Sequence, residues 1–517
     1  MPATSANDTS ASVLPSASPD IVELHTDLSG SPYFSSDMAP VPASRRKWGT
    51  WDIAALWISM SACVTTYTLA SNFINGGMNW WEAVLTIFIG NAIVLIPMVL
   101  NAHAGTRYGI PFPVYCRASF GIRGANMPAI LRALVACGWF GIQTWIGGSA
   151  IYQILLVWMP QFKSWPMLGF LGINAMQLLC FLAFWAVNML VIYMGINSIR
   201  ILLNIKAPLL ILMGLALLWW AVRHAGGWGP MLSQPSAFEP GRPQEGKFWL
   251  VFFPALTGAV GYWATLSLNI PDFSRYAKSQ RGQVLGQAIG LPTTMALYSF
   301  IGVAVTSATI IIYRKPDGSP GDPIWDPVIL VGKFTNPVIL VVALFCLTLA
   351  TLATNIAANV VSPANDFAHI APKFISFRTG GLITGIIGIL MMPWKLYADP
   401  NGYIFRWLIA YSSLLGAIGG ILIADYFWIR HARLDLEGLY KKDGPYFYRN
   451  GINVIAVIAF LVAVAPCIPG FINAVAPTPP FAPFWTTLYS YAWFLSFGIA
   501  FVVYGIAMKA KGQGSGA

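Results

Sequence analysis

An indole and a primary amide lie four residues apart in the third long apolar stretch of the chain, at Trp139 and Gln143. Residues at this spacing share one face of a helix. The indole offers a flat stacking surface, and the amide offers one acceptor and two donor hydrogens. The pair could therefore hold a planar ring that carries amide or ureido groups. A role in packing or at the membrane interface is the alternative, because the chain contains 21 tryptophans.

Two further apolar stretches could complete such a site. Trp263, in the sixth stretch, would supply a second stacking face. Stacking of a base on an aromatic side chain contributes about 1–3 kcal/mol in nucleic-acid-binding proteins. In the eighth stretch Asn355 and Asn359 also lie four apart, and amides buried in a membrane need partners. The alternative is that these asparagines only tie neighbouring helices together.

The first and sixth stretches have the composition of interrupted helices. Residues 59–67 are rich in hydroxyl side chains, and the sixth stretch contains Pro254, Gly258 and Gly261. Unwound backbone at such points can line a polar cavity within a membrane. Because the two stretches occupy matching places in two blocks of five, they indicate an inverted repeat with a site at the midplane. Close helix packing through small residues is the alternative explanation.

The elements that must position these residues are membrane-spanning helices. Of the 517 residues, 56% are hydrophobic and 9% are charged. Soluble domains carry about 25% charged residues, so the excess apolar surface must face lipid. About twelve stretches are long enough to cross a bilayer core of about 30 Å. They lie near residues 52–74, 80–102, 128–158, 170–195, 199–222, 249–271, 284–313, 335–361, 379–394, 403–429, 452–473 and 484–508.

The distribution of charge and apolar residues predicts the organisation of the chain. Residues 1–44 are predicted to be a disordered cytoplasmic tail, 45–222 and 249–429 two five-helix repeats, and 452–508 two additional transmembrane helices. Most of the Lys and Arg residues fall on one side of the predicted membrane. This bias places both termini in the cytoplasm and explains the net charge of +11 without a nucleic-acid partner.

Residue types that support metal or redox chemistry are scarce. The six cysteines show no repeated spacing, and the five histidines form no pair at metal-ligand spacing. We therefore expect no disulfide framework, no resident cofactor and no membrane enzyme. The carboxylates nearest the apolar stretches all lie at predicted helix ends, so none is an evident proton carrier: Glu82, Asp272, Asp366 and Asp425.

Several stretches resemble, in order, the nucleobase:cation symporter family 1, which includes hydantoin, allantoin, uracil, cytosine and purine permeases. The resemblance covers residues from about 45 to 510, and its matching stretches are 101–114, 117–126, 139–145, 263–273, 354–359 and 425–427. It implies a leucine-transporter-like fold, built as a five-plus-five inverted repeat with two extra C-terminal helices. The expected localisation is the cell (inner or plasma) membrane, with the lipid bilayer as surroundings and no obligate protein partner.

The resemblance also implies roles for particular residues. In the family, tryptophans of the third and sixth spans sandwich the substrate ring, which corresponds to Trp139 and Trp263. The ring edge is bound by a span-three Gln and a span-eight Asn, which correspond to Gln143 and Asn359. A leucine early in the tenth span closes the site from the inside, which corresponds to Leu408.

Two positions depart from the family pattern within the expected site. Cys63 stands where relatives often place Gln or Asn, so one substrate hydrogen bond is expected to be missing or replaced. Tyr262 stands where some members have glycine, which predicts a narrower or differently capped pocket.

A third departure concerns the coupling ion. The sodium site of sodium-coupled members would correspond to the carbonyl oxygens of Ser59, Ala62 and Ala350, together with the hydroxyl of Thr354. The second hydroxyl position is Ala353, which has none. A hard cation needs oxygen ligands, so this loss weakens the site. We therefore expect coupling to H+, with Na+ as the alternative.

These observations lead to a functional hypothesis. The chain is expected to be a secondary transporter that imports a nucleobase or related nitrogen heterocycle by alternating access. A same-fold, sodium-coupled carrier of another small solute, such as an amino acid, is the main alternative. A channel or receptor with the same helix count and a membrane-embedded enzyme are the alternatives from other classes.

Overall fold

The computed structural model describes residues 21–194, 196–371, 373–398 and 402–512. Over these ranges the protein is helical, and extended pairing is limited to three isolated β-bridges. Eight described helices are long and apolar enough to cross a membrane, and a bent pair makes a ninth. Three shorter apolar helices accompany them. The all-α membrane architecture is thus confirmed, while the count of twelve spans and the division into two repeats stay predictions.

The first part of the chain contains the helices that carry Cys63, Trp139 and Gln143. In chain order they are α1 (Thr50–Ser61), α2 (Val64–Asn75), α3 (Trp80–Tyr108), α4 (Phe112–Phe120), α5 (Asn126–Trp158), α6 (Ala175–Met194), α7 (Ile196–His224) and α8 (Trp228–Leu232). The long α5 is mostly buried and packs against α6. It therefore holds its site residues inside the helix bundle.

The second part carries Tyr262, Trp263 and Asn359. Its helices are α9 (Phe248–Tyr262), α10 (Ala264–Asn269), α11 (Pro271–Ser274), α12 (Gln280–Ile312), α13 (Pro327–Val331), α14 (Pro337–Asn359), α15 (Val361–Ile370), α16 (Phe377–Leu390), α17 (Pro393–Leu396), α18 (Ile409–Ile423), α19 (Val454–Val464), α20 (Ile468–Val475), α21 (Pro483–Tyr489) and α22 (Ala492–Ala510). Two π-helical turns, Gly402–Leu408 and Ala424–Ile429, flank α18. Helix α5 also packs against α14, α15 and α16.

The predicted interruption of the first span is confirmed. Helices α1 and α2 meet at an angle of 58°, and the break falls at Ala62 and Cys63. Cys63 is fully extended, with φ −152° and ψ 162°, so the helical hydrogen-bond ladder stops there. Backbone groups freed in this way must find other partners inside a membrane protein.

The sixth span is interrupted as well. Helix α9 ends at Tyr262, and Trp263, with φ −103° and ψ 7°, separates it from α10. Gly261 lies in the last turn before this break, where a Cβ atom would come within 3.0 Å of the Leu408 carbonyl oxygen. The absence of a side chain at Gly261 therefore lets the broken span approach the start of α18 closely.

The predicted disordered tail is wrong for residues 21–44, whereas residues 1–20 lie outside the described residues. Leu28, Met38 and Val41 are buried, and the Val41 N–H donates to the Gly109 carbonyl oxygen at 2.9 Å. The Tyr440 hydroxyl donates to the Met38 carbonyl oxygen at 2.7 Å. Apolar residues scattered among Ser and Pro were too sparse to predict this packing, which depends on contacts distant in sequence.

Arg46 anchors the same segment to the end of α3. Its guanidinium donates to the carbonyl oxygens of Val41 and Thr106, both at 2.8 Å. Burial lowers the pKa of Arg46 to about 10, so the side chain stays charged near neutral pH. Residues 21–46 therefore form part of the folded protein at the end of the bundle opposite the start of α18.

Candidate functional site

The six side chains predicted to bind substrate line one cavity between the two helix breaks. They are Cys63, Trp139, Gln143, Tyr262, Trp263 and Asn359. Met60, Thr65, Thr265, Leu266, Thr354 and Ala358 complete its walls, and its volume is about 30 Å³. Helices α1, α2, α5, α9, α10 and α14 all contribute, so residues far apart in sequence meet at this point.

An aromatic cluster forms one side of the cavity, with Tyr262 at its centre. The Tyr262 ring centroid lies 5.2 Å from that of Trp139 and 5.0 Å from that of Trp263. The interplanar angles are 78° and 87°, so Tyr262 meets both indoles edge to face. Trp57 packs against Trp263 in the same way, at 5.2 Å. Tyr262 thus stands beside both tryptophans that the family pattern assigns to stacking.

A hydroxyl and thiol network joins Tyr262 to the break in the first span. The Tyr262 hydroxyl lies 2.7 Å from Thr65 Oγ1, 3.2 Å from Thr66 Oγ1 and 3.3 Å from Cys63 Sγ. Cys63 Sγ also lies 3.2 Å from both threonine hydroxyls. Thr65 and Thr66 were not predicted as site residues, although the hydroxyl-rich composition of residues 59–67 pointed to this segment.

Gln143 places a hydrogen-bond acceptor in the cavity without a protein partner. Its side chain is 3% exposed, and its Nε2 donates to Thr65 Oγ1 over a long 3.5 Å. Its Oε1 is buried and has no hydrogen-bond partner among the described residues. Leaving such an acceptor unpaired costs about 1–3 kcal/mol. A ligand that donates an N–H group here would remove that cost.

The two asparagines of α14 have different surroundings. Asn355 donates to the Phe140 carbonyl oxygen, Thr144 Oγ1 and Asn188 Oδ1 at 3.1–3.2 Å, so it ties α14 to α5 and α6. Asn359 lines the cavity, and its Nδ2 donates to Asn355 Oδ1 at 3.1 Å. Asn355 thus ties neighbouring helices together, whereas Asn359 is within reach of a ligand.

Tyr411 fixes Trp139 from outside the cavity. The Trp139 indole N–H donates to the Tyr411 hydroxyl at 3.2 Å, and that hydroxyl donates to the Gly261 carbonyl oxygen at 2.8 Å. Gly261 lies in the last turn of α9, where carbonyl groups lack helical partners. Tyr411 therefore connects the stacking indole to the broken sixth span. No motif in the sequence marked it.

Leu408 does not line the cavity. It is fully buried at the end of the first π-helical turn, with its carbonyl oxygen facing Gly261. In this structure it lies behind the broken sixth span, and its predicted role as a gate stays a prediction.

The positions of the sodium-like site lie where α1 packs against α14. Ser59 belongs to the last turn of α1, and Ala62 forms its end. On α14, the Thr354 hydroxyl donates to the Ala350 carbonyl oxygen at 3.0 Å. Ala353 is buried and brings no oxygen from its side chain. One of the oxygen positions expected from the family is therefore missing, and the choice of coupling ion stays a prediction.

The buried carboxylates all have partners away from the cavity. Asp366 accepts from Arg132 at 3.1 Å, and Asp425 accepts from Arg430 at 2.8 Å. Asp272 accepts from the Phe112 backbone N–H at 2.9 Å. In the described part of the chain, no group of three His, Cys, Asp or Glu side chains could hold a metal ion. The chemistry of the cavity is therefore aromatic and amide-like.

A family model for permeases of cytosine and purines, uracil, thiamine and allantoin matches residues 40–496. The chain belongs to this family. It is the family that its stretches resemble in sequence, nucleobase:cation symporter family 1. Membership of a permease family makes the chain a multi-pass membrane transporter and not an enzyme.

Two curated relatives and one solved protein illustrate the similarity. The chain is 42% identical over 481 residues to a purine-uracil permease of Arabidopsis thaliana, covering 93% of this chain and 78% of the relative. It is 38% identical over 480 residues to the allantoin permease of Bacillus subtilis, covering 92% of this chain and 93% of the relative. Mhp1, a symporter of the same family, matches in an inward-facing conformation with a TM-score of 0.72, 26% identity and coverage of 93% and 94%.

A second structure of Mhp1, closed with bromovinylhydantoin bound, matches with a TM-score of 0.71 at 25% identity, covering 92% of this chain and 96% of that one. Together the two matches confirm the leucine-transporter-like fold for this member of the symporter family. The two helix breaks that form the cavity are the feature of this fold that creates a polar site inside the membrane.

Proposed function

We propose that this symporter-family member imports a nucleobase or related nitrogen heterocycle by alternating access. The candidates are uracil, allantoin, hydantoin, cytosine and purines. Curated relatives that are named for purine, uracil and allantoin transport support the substrate class. Mhp1 with bromovinylhydantoin bound supports a ring with an amide-like edge. We also propose that the protein lies in the cell membrane with both termini on the cytoplasmic side, as the distribution of Lys and Arg predicts.

The observation that carries this proposal is the unpaired Gln143 Oε1 in a cavity walled by Trp139 and Trp263. A ring N–H group would donate to that oxygen while the ring face lies against an indole. The Asn359 amide on the same wall would bind a second polar atom of the ring edge. Two contacts of different type on one rigid helix bundle fix both the plane and the rotation of a flat substrate.

Tyr262 and Cys63 narrow the choice of substrate. Because the Tyr262 ring occupies the space beside both tryptophans, the substrate must be compact or must displace this ring. The hydroxyl and thiol network of the first span replaces the amide that relatives often carry at position 63. We therefore propose that hydroxyl groups, not an amide, complete the polar wall next to Gln143.

The alternative is a same-fold, sodium-coupled carrier of an amino acid. Such a carrier would hold the substrate carboxylate on exposed helix ends and would not need two stacking indoles. The cavity instead presents three aromatic rings and two amides. A planar heterocycle uses this set of groups, whereas an amino acid would leave most of them unused.

For the coupling ion we propose H+ and not Na+. The support is the missing hydroxyl at Ala353. A sodium ion would lose one oxygen ligand at this position.

Radiolabelled uptake in cells that express the protein tests the proposal. The panel would contain uracil, cytosine, adenine, allantoin and benzylhydantoin, each with and without sodium and with a protonophore. Saturable uptake of a panel member that collapses with the protonophore and ignores sodium is the expected result. Sodium-dependent uptake would overturn the coupling ion alone. Absence of uptake by well-expressed protein would overturn the substrate class.

A further inference from the structure

A second cavity, separate from the candidate substrate site, opens on the side of the helix bundle. It lies between α5, the first π-helical turn, α18 and the α19–α20 segment, and about 870 Å³ of its space is not filled by atoms. Leu134 and Ile468 on its rim are 38% and 49% exposed. The surrounding helices are long and apolar enough to cross a membrane, and from this we infer that the opening faces lipid.

The lining of this side cavity is mostly apolar. Leu131, Val135, Val464 and Phe471 are among its walls, and Arg406 is the one charged residue among the described residues that line it. An apolar groove of this kind accommodates hydrocarbon, since the groove and a lipid tail both avoid polar groups. Arg406 favours an occupant that is anionic at one end and hydrocarbon along its length.

Arg406 is anchored to the end of α20. Its Nε donates to the Ala474 carbonyl oxygen at 3.2 Å, and Ala474 lies in the last turn of α20. The side chain is exposed, and no described carboxylate forms an ion pair with it. Its terminal N–H groups can therefore bind a phosphate, whose oxygens match the planar guanidinium.

Trp407 is the neighbour of Arg406 in sequence and adds an indole to the same groove. Its side chain lines the groove and is 7% exposed. Its indole N–H is buried and has no acceptor among the described residues. A glycerol ester carbonyl that reached it would supply that acceptor. The groove thus combines a cation, an N–H donor and apolar walls, which are partners for the phosphate, the ester and the acyl chain of a phospholipid.

We propose that this groove binds one phospholipid, with its phosphate at Arg406 and one acyl chain along α5 and α18. The bound chain would pack against Trp407 and Tyr411, whose rings are 5.0 Å apart. Tyr411 in turn holds the Trp139 indole N–H. The lipid therefore supports, from the membrane side, the aromatic group that positions a wall of the substrate cavity.

Photolabelling of the full chain tests the proposal independently of transport. The protein is reconstituted with phosphatidylglycerol that carries a diazirine in its acyl chain, irradiated, digested and mapped by mass spectrometry. Labelling is expected to concentrate in residues 131–135, 407–414 and 464–471. A uniform distribution over all lipid-facing helices would overturn the proposal.

Three variants identify the contacts. Arg406→Gln should lower phosphatidylglycerol labelling of the groove about fivefold, as expected for loss of one cationic contact to a lipid phosphate. The same variant should leave labelling by a diacylglycerol with the same diazirine chain unchanged. Ala410→Trp fills the groove and should lower labelling by both lipids. Leu190→Trp, on a lipid-facing part of α6 where Leu190 is 57% exposed, is the matched control and should change neither.

Equal phosphatidylglycerol labelling in wild type and Arg406→Gln would refute the phosphate contact and with it the proposal. This result is interpretable even if Ala410→Trp folds poorly, because Arg406 is exposed and its substitution by Gln leaves the apolar walls intact.

Discussion

The hydroxyl of Tyr262 lies 2.7 Å from the hydroxyl of Thr65, which joins the end of α9 to the start of α2 across the cavity. Helix α2 begins at the break in the first span, and α9 ends at the break in the sixth span. This contact therefore links the two breaks that create the site. Because the same Tyr262 ring stands beside Trp139 and Trp263, it determines how much space a substrate has.

Removing that ring should widen the choice of substrate. We expect Tyr262→Gly to accept heterocycles with larger ring substituents, measured as inhibition of labelled uptake by benzyl-substituted hydantoins. Tyr262→Phe keeps the ring and should keep the size limit. Loss of a buried aromatic ring destabilises proteins by about 3–5 kcal/mol, so the melting temperature of Tyr262→Gly should fall. An unchanged size limit in folded Tyr262→Gly would contradict the role given to this ring.

Substitution of Gln143 should weaken substrate binding without lowering the stability of the protein. Gln143→Leu removes the unpaired acceptor, and we expect substrate affinity to fall about 5- to 100-fold, as for loss of a buried polar contact of about 1–3 kcal/mol. The melting temperature should stay equal or rise, because the variant no longer buries an unsatisfied oxygen. Gln153→Leu, on the same helix but outside the cavity, is the control. Wild-type affinity in Gln143→Leu would argue against the amide contact.

Position 353 should control the response to sodium. Wild-type uptake is expected to be indifferent to replacement of sodium by potassium. Ala353→Ser restores a hydroxyl on α14 next to Thr354, so sodium should stimulate uptake by this variant. Ala353→Val, which adds bulk without an oxygen, is the matched control. Strong sodium stimulation of the wild type would show instead that the remaining oxygens suffice.

Asp326 should give a pH dependence to stability, outside the membrane-spanning segments. Its carboxylate accepts from the Val328 N–H at 2.8 Å and caps α13, while burial raises its pKa from 3.8 to about 6. A raised carboxyl pKa contributes stability that is present below pH 4 and is lost as the pH rises through 6. Asp326→Asn keeps a capping side chain without the charge.

We therefore expect Asp326→Asn to raise the melting temperature at pH 7.5 and to leave it nearly unchanged at pH 4, measured by thermal unfolding in detergent. Asp322→Asn, at a carboxylate whose side chain is 87% exposed, should have little effect at either pH. An advantage of Asp326→Asn that is as large at pH 4 as at pH 7.5 would contradict a buried, charged Asp326.

The sequence was most informative where chemistry and spacing are local. Trp139 and Gln143 could be paired because they share a helix face, and the composition of residues 59–67 indicated a break that the structure places at Ala62 and Cys63. Gly261 lies in the last turn of α9, next to the predicted interruption of the sixth span. Each of these inferences needs only residues a few positions apart.

Contacts between distant parts of the chain could not be predicted in this way. Tyr411 binds Trp139 across 272 positions, and nothing in its local sequence distinguishes it from other tyrosines. Likewise, the Met38 carbonyl oxygen accepts a hydrogen bond from Tyr440, which lies far away in the sequence. The prediction of Leu408 as a gate rests on resemblance to the family. Its backbone carbonyl faces Gly261, whereas its side chain does not line the cavity. Contact between two helices therefore does not by itself place a side chain in the site.

The most direct test of the central claim is substrate counterflow in proteoliposomes with Trp139→Ala and Trp145→Ala. Both tryptophans belong to α5, but Trp139 lines the cavity, whereas Trp145 packs against Phe181 and Trp394. Exchange of the labelled heterocycle should be abolished by Trp139→Ala and largely retained by Trp145→Ala at equal reconstitution. Normal exchange by Trp139→Ala would contradict a heterocycle site at this cavity.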